Sequence, residues 1–86
     1  IRRLGARIKA LHVADNSGQG DDHLAPYYGT VPWTEVLRAL KDAGYRGTLN
    51  FEAHNFVGRL PEELRLQSVM LLYRIGRAMA EEFDRL

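Results

Sequence analysis

His12 and Glu52 carry side chains that can hold a cation and move a proton. Each stands near the end of a short run rich in β-forming residues. Converging on one point, an imidazole and a carboxylate offer nitrogen and hard oxygen without thiolate. That donor set suits Mn²⁺ first, with Mg²⁺, Co²⁺ or Zn²⁺ as alternatives. The stretch between them adds Asp15, Asp21, Asp22 and His23, and Asp21 and His23 stand at the D-x-H spacing that can offer a carboxylate and an imidazole to one ion. His54 lies two residues past Glu52 and shares its orientation for as long as a strand lasts. Each residue also has a plainer reading. His12 alone is a core histidine satisfied by a backbone carbonyl, Glu52 alone an exposed strand-end acid, and the loop acids and His54 are solvated groups.

The composition removes several classes of function. With no cysteine among 86 residues, neither a disulfide framework nor a cysteine-built zinc site is possible. Twelve Lys and Arg against eleven Asp and Glu leave a formal charge of +1, without the basic excess that general nucleic-acid binding needs. No run approaches the ~20 apolar residues of a membrane span. A cytoplasmic protein without a membrane or nucleic-acid partner is expected.

The elements that must position these residues alternate in type. Ile1-Arg2-Arg3-Leu4-Gly5 reads as the last turn of a helix, basic at its carboxyl end and closed by glycine, so the chain is expected to be a fragment. Residues 7–13 predict a strand bounded by Gly5 and Asp15-Asn16-Ser17-Gly18. A long loop rich in glycine and aspartate follows to Val31; loops of that length are usually functional. Its Pro26-Tyr27-Tyr28-Gly29 could shape a sugar-sized pocket. Pro32 suits a helix's first turn, with Thr30 or Thr34 as caps, and Trp33, Val36, Leu37 and Leu40 form one apolar stripe that Gly44 ends. Trp33 belongs to that packing stripe. Residues 48–52 predict a second strand and 53–60 a loop. Pro61-Glu62-Glu63 then opens a long helix toward Leu86, with Leu64, Leu71, Leu72, Ile75, Met79 and Phe83 at helical spacing.

Strands alternating with helices imply parallel pairing and right-handed crossovers. Two strands cannot close a sheet or cover these helices, and an eight-unit barrel needs about 250 residues. In such a barrel the site gathers at the carboxyl ends of the strands, where both His12 and Glu52 fall.

Several runs, taken in order, resemble the C-terminal third of the xylose isomerase-like TIM barrel superfamily. They are Leu11-His12-Val13-Ala14-Asp15, Asp21-Asp22-His23, Tyr28-Gly29-Thr30-Val31-Pro32-Trp33, Ala43-Gly44-Tyr45-Arg46-Gly47 and Phe51-Glu52. That superfamily includes sugar-phosphate isomerases, ketose 3-epimerases, hydroxypyruvate isomerases, inosose dehydratases and the endonuclease IV branch. The resemblance implies an α/β chain, with residues 1–86 a partial TIM barrel domain: a βαβα section holding strands seven and eight with their helices. It makes His12 a metal ligand, and Glu52 both a metal ligand and one of two acid/base carboxylates. Asp15 falls where the epimerases carry an acid. Asp21 and His23 match the pair that endonuclease IV uses for an additional metal, and His54 could line the same pocket. The arginine that ketose epimerases carry in the loop after the histidine has no counterpart in residues 16–20, which removes a usual handle for a phosphate or distal hydroxyl.

The implied activity is divalent-metal-dependent isomerisation or epimerisation of a sugar or sugar phosphate by proton transfer through an enediolate. Two other readings stand beside it. One is a DNA-repair nuclease like endonuclease IV. The other is a barrel piece without catalysis that covers its apolar faces by oligomerising, or with the rest of a barrel.

Overall fold

The computed structural model describes all residues, Ile1–Leu86. In chain order they form a 3-10 turn (Gly5–Arg7), β1 (His12–Val13), α1 (Trp33–Asp42), β2 (Asn50–Phe51), α2 (His54–Gly58) and α3 (Glu62–Arg85). β1 and β2 pair in parallel, with His12 beside Asn50 and Val13 beside Phe51. The Glu52 amide donates to the Val13 carbonyl at 2.7 Å, carrying the pairing one step further.

Side-chain alternation divides the pair into two faces. Val13 and Phe51 turn toward the helices, where Val13 packs with Trp33, Leu37 and Met79 as the centre of the core. Leu37 and Met79 are fully buried, each contributing roughly 1.5–3 kcal/mol by leaving water. His12 and Asn50 occupy the opposite face and are exposed. α1 and α3 pack on each other and on the helix side of the strands.

α1 ends in a Schellman motif. Gly44 adopts φ +76°, its amide donates to the Lys41 carbonyl at 3.0 Å, and the Tyr45 amide donates to the Leu40 carbonyl at 3.0 Å. The Tyr45 hydroxyl then donates to the Thr48 carbonyl at 2.7 Å. A Cβ on Gly47 would strike the Tyr45 ring and the Lys9 carbonyl, so the Gly-Tyr-x-Gly run is the turn that delivers the chain into β2. At the N-terminus, the Gly5 amide donates to the Ile1 carbonyl at 3.1 Å and Gly5 takes φ +55°. A single turn is formed here, but no helix precedes Gly5, which opens the 3-10 turn and does not close a helix as the sequence suggested.

Three expectations are corrected. The strands are two residues each rather than the runs 7–13 and 48–52, because each has only one hydrogen-bonded neighbour over a short overlap. Residues 53–60 are not all loop, since His54–Gly58 form a single turn of helix. Pro32 sits at the N-cap of α1 without a side-chain cap, and Thr30 instead bonds the Asn16 carbonyl at 3.2 Å. The long loop is present as expected, and within it Asp15 and Leu24 form an antiparallel bridge, with bonds of 2.8 and 2.9 Å, that folds residues 16–23 back on themselves.

Much apolar surface stays uncovered. Leu66, Val69, Met70 and Tyr73 form an exposed stripe on α3, with Leu66 and Tyr73 at 71% and 67%. An open groove of about 560 Å³ lies between β2 and α3, lined by Leu49, Phe51, Leu72 and Gly76 among others. No helix is long and apolar enough to cross a membrane.

Candidate metal centre

The parallel register places the ends of β1 and β2 side by side, which brings His12 and Glu52 together across forty residues. His12 Nδ1 lies 3.2 Å from Glu52 Oε2. An ionised carboxylate can only accept, so the imidazole donates from Nδ1. Both side chains are open, at 75% and 44% exposure. Both lie on the face of the strand pair opposite Val13 and Phe51, away from the helical core.

The Asp15–Leu24 bridge returns the loop to this point. His23, next to Leu24, puts Nε2 at 3.5 Å from Glu52 Oε1. Its Nδ1 stands 3.2 Å from the Asp21 carbonyl oxygen and 3.4 Å from Asp21 Oδ1. His23 holds φ +51°, a left-handed conformation costing on the order of 1–2 kcal/mol. His54, the first residue of α2, lays its ring against that of His23, with centroids 4.3 Å apart and planes 31° apart. The candidate ligand atoms of His23, Glu52 and His54 all lie within 4.8 Å of one another.

The site therefore gathers four of the six predicted residues as donors: His12, Glu52, His23 and His54. Asp21 stands behind His23 and is otherwise exposed. Asp15 is not brought to the cluster. It is almost fully buried and accepts four bonds: from the Trp33 indole at 2.7 Å, the Asn16 amide at 2.8 Å, and the Val31 and Tyr27 amides at 3.0 Å each. Burial pushes its pKa up, but the bonds from Trp33, Val31, Asn16 and Gly29 outweigh it and leave the carboxyl below its ordinary value. Asp22 also titrates below its ordinary value, chiefly because the Ser17 backbone amide donates to it.

Asn55 was not singled out in the sequence, yet its amide donates to the Asp22 carbonyl at 2.7 Å and ties α2 to the loop. No local pattern announces such a tie, since the two residues are 33 positions apart. Tyr28 packs on Phe56 at 4.8 Å, closing the loop over α2.

The donor set fits a divalent cation. Two donors sharing one tetrahedral ion stand about 3.3–3.5 Å apart; His23 lies at 3.5 Å from Glu52, and His12, at 3.2 Å, is slightly closer. His54 is the donor that must turn, and its exposed position at a helix start leaves it room.

A parallel strand pair with a crossover helix, carrying an imidazole–carboxylate cluster at its carboxyl end, is the arrangement of a β/α-barrel section. The sequence profile of the xylose isomerase-like TIM barrel family matches residues 1–75, and the chain belongs to that family. It is 34% identical over 83 residues to a fructoselysine 3-epimerase of Shigella flexneri, covering 96% of this chain and 29% of that protein. The corresponding epimerase of Escherichia coli is 31% identical over 80 residues, covering 93% of this chain and 28% of that protein. An uncharacterized protein of Sinorhizobium fredii is 42% identical over 52 residues, or 60% of this chain and 17% of that protein. The chain thus spans less than a third of the length of these relatives. No solved structure matches it at comparable significance.

Proposed function

We propose that this chain forms one section, strands seven and eight with their helices, of a metal-dependent barrel that epimerises or isomerises a ketose. Residues 1–86 are then one part of a single domain, and the remaining units, or other copies, cover the open groove and the apolar stripe of α3. The observation that carries the reading is the pairing of His12 with Glu52 at adjacent strand ends, 3.2 Å apart and facing away from the core. The two fructoselysine 3-epimerases among its relatives support a ketose carrying a bulky substituent as substrate, with the carbon next to the carbonyl as the reacting centre.

The acid–base work falls to Glu52. Its carboxylate removes the proton from the carbon beside the carbonyl, and the C–H electron pair moves toward the carbonyl oxygen to give an enediolate. A second carboxylate, from another section of the barrel, returns a proton to the opposite face for epimerisation. His12 donates to Glu52 while no cation is bound and would give up that Nδ1 proton on ligating one; either way it fixes the plane of the carboxylate. His12 and Glu52 would hold the divalent cation, which when bound supplies positive charge opposite the oxygen where negative charge develops. Tyr28, exposed and packed on Phe56 of the helix that His54 opens, supplies wall for the sugar.

The test is proton exchange. The protein is incubated with fructoselysine and simple ketoses, with Mn²⁺ in deuterated water, and substrate is followed by NMR. Deuterium incorporation at the carbon beside the carbonyl, lost in Glu52→Gln, is the expected result. Exchange that persists in Glu52→Gln would overturn the role given to Glu52.

A further inference from the structure

We infer that the exposed stripe of α3 docks on the same stripe of a second copy of this chain, the two helices running antiparallel. The inference goes beyond the chemistry proposed above and does not depend on it, since none of these residues belongs to the metal-capable cluster.

Helical spacing defines the stripe. Tyr73 and Arg77 stand seven and eleven residues beyond Leu66 on α3 and share its face, with Val69 and Met70 between them. Ser68 and Met79 mark the buried face, which lies roughly opposite at 3.6 residues per turn. Leu66 and Tyr73 are the most exposed large hydrophobic residues of the chain. Apolar surface gathered on one helix face marks a place where something packs. The groove between β2 and α3 lies at the free edge of β2, where further barrel units would add. Tyr73 and Arg77 border that groove, but Leu66, Val69 and Met70 do not. A helix face turned away from the strands stays on the outside of a barrel's helical ring.

The charges at the two ends of the stripe choose its occupant. Glu62 and Glu63 stand at its start and Arg74 and Arg77 at its end, all exposed and without an ion-pair partner in their own chain. Arg65, the base nearest the two acids on α3, is turned back onto the Leu60 and Gly58 carbonyls. A second copy laid antiparallel, with Leu66 against Tyr73, brings the acids of each helix to the arginines of the other and leaves Val69 and Met70 at the centre. One self-complementary patch then satisfies both ends at once, as a two-fold interface requires. A parallel pair would set acid on acid and base on base, which is unfavourable. So small a face falls short of the ~20–30 residues a side of a standard interface, and association in the micromolar range follows.

The test is sedimentation equilibrium from low to high micromolar concentration, with circular dichroism to check the folding of each variant. The wild type should move reversibly between monomer and dimer. Leu66→Lys, at an exposed position, should leave only monomer. Glu62→Arg should weaken the dimer by about tenfold, and adding Arg77→Glu should restore it. If Leu66→Lys disturbs the helix, this charge exchange decides alone. Direction is read separately. The chain has no cysteine, so a mixture of Leu66→Cys and Tyr73→Cys proteins forms disulfides only at those positions, and mild oxidation should give chiefly the mixed pair. A monomeric wild type would overturn the inference. So would a dimer that Leu66→Lys leaves intact, which would place association at the groove, or a loss in Glu62→Arg that Arg77→Glu does not restore. Like-with-like disulfides would overturn the antiparallel arrangement. All of these outcomes leave the proton-exchange test of Glu52 untouched.

Discussion

The loop knot around Asp15 and the strand-end mouth around Glu52 each centre on one carboxylate, and the two carboxylates live in opposite surroundings. Continuing the strand register sets Glu52 level with Ala14, one residue short of Asp15. That single step turns Asp15 toward α1 and Glu52 away from it. Asp15 has about four lone-pair sites, and four loop and helix donors fill them. Glu52 meets two imidazoles, one on each oxygen, and remains open to solvent. A carboxylate saturated by N–H groups of its own chain is structural. One whose oxygens face metal-capable nitrogens is equipped for exchangeable partners.

Substitutions separate the two most sharply. Glu52→Gln should lower kcat by about 10³-fold while moving unfolding free energy by less than about 0.5 kcal/mol, measured by steady-state kinetics and urea denaturation of the same samples. Asp15→Ala should do the reverse through stability. It leaves four donors, the Trp33 indole among them, without their acceptor and should cost about 3 kcal/mol. A stability loss in Glu52→Gln as large as that in Asp15→Ala would erase the distinction.

Gly29→Ala sharpens the account of the knot. A Cβ there lands on the Asn16 carbonyl and the Asp15 carboxylate, so about 2 kcal/mol of stability should be lost, read as a lower urea midpoint. Acid should act on the knot more gently. Because the folded pKa of Asp15 lies below its ordinary value of 3.8, its stabilisation is full above that value and is lost as pH falls through the folded pKa. Asp15→Asn should therefore flatten the acid limb of a stability–pH curve below about pH 4. The smallest effect is expected far from both carboxylates. Arg2→Ala removes an exposed 3.1 Å pair with Asp42 and should change stability by no more than about 0.5 kcal/mol.

Sequence periodicity located α1 and α3 because each carries an apolar stripe several turns long, and α3 runs from Glu62 to Arg85 much as the pattern of Leu72, Ile75, Met79 and Phe83 predicts. The strands were harder to bound, since a strand's length depends on its neighbours and local residue type cannot supply them. α2 escaped notice because five residues are too few to display a helical period. In the candidate site, strand-end position pointed to His12 and Glu52, and the structure brings the two to 3.2 Å of each other. His23 was legible through its spacing from Asp21, but the Asp15–Leu24 bridge that delivers it was not. Asp15 stood out through the family resemblance, and nothing local revealed that Tyr27, Val31 and Trp33 would enclose it. Such enclosure is a tertiary event across up to eighteen residues.

The two-residue overlap of β1 and β2 has a consequence for how errors in folding are caught. Sliding one strand by a single residue would exchange its faces, sending Val13 into water and His12 into the helices. The same slip that separates His12 from Glu52 therefore also empties the core of its central valine. The register that buries the valine is thus also the register that pairs the two donors, so one hydrophobic contact fixes both.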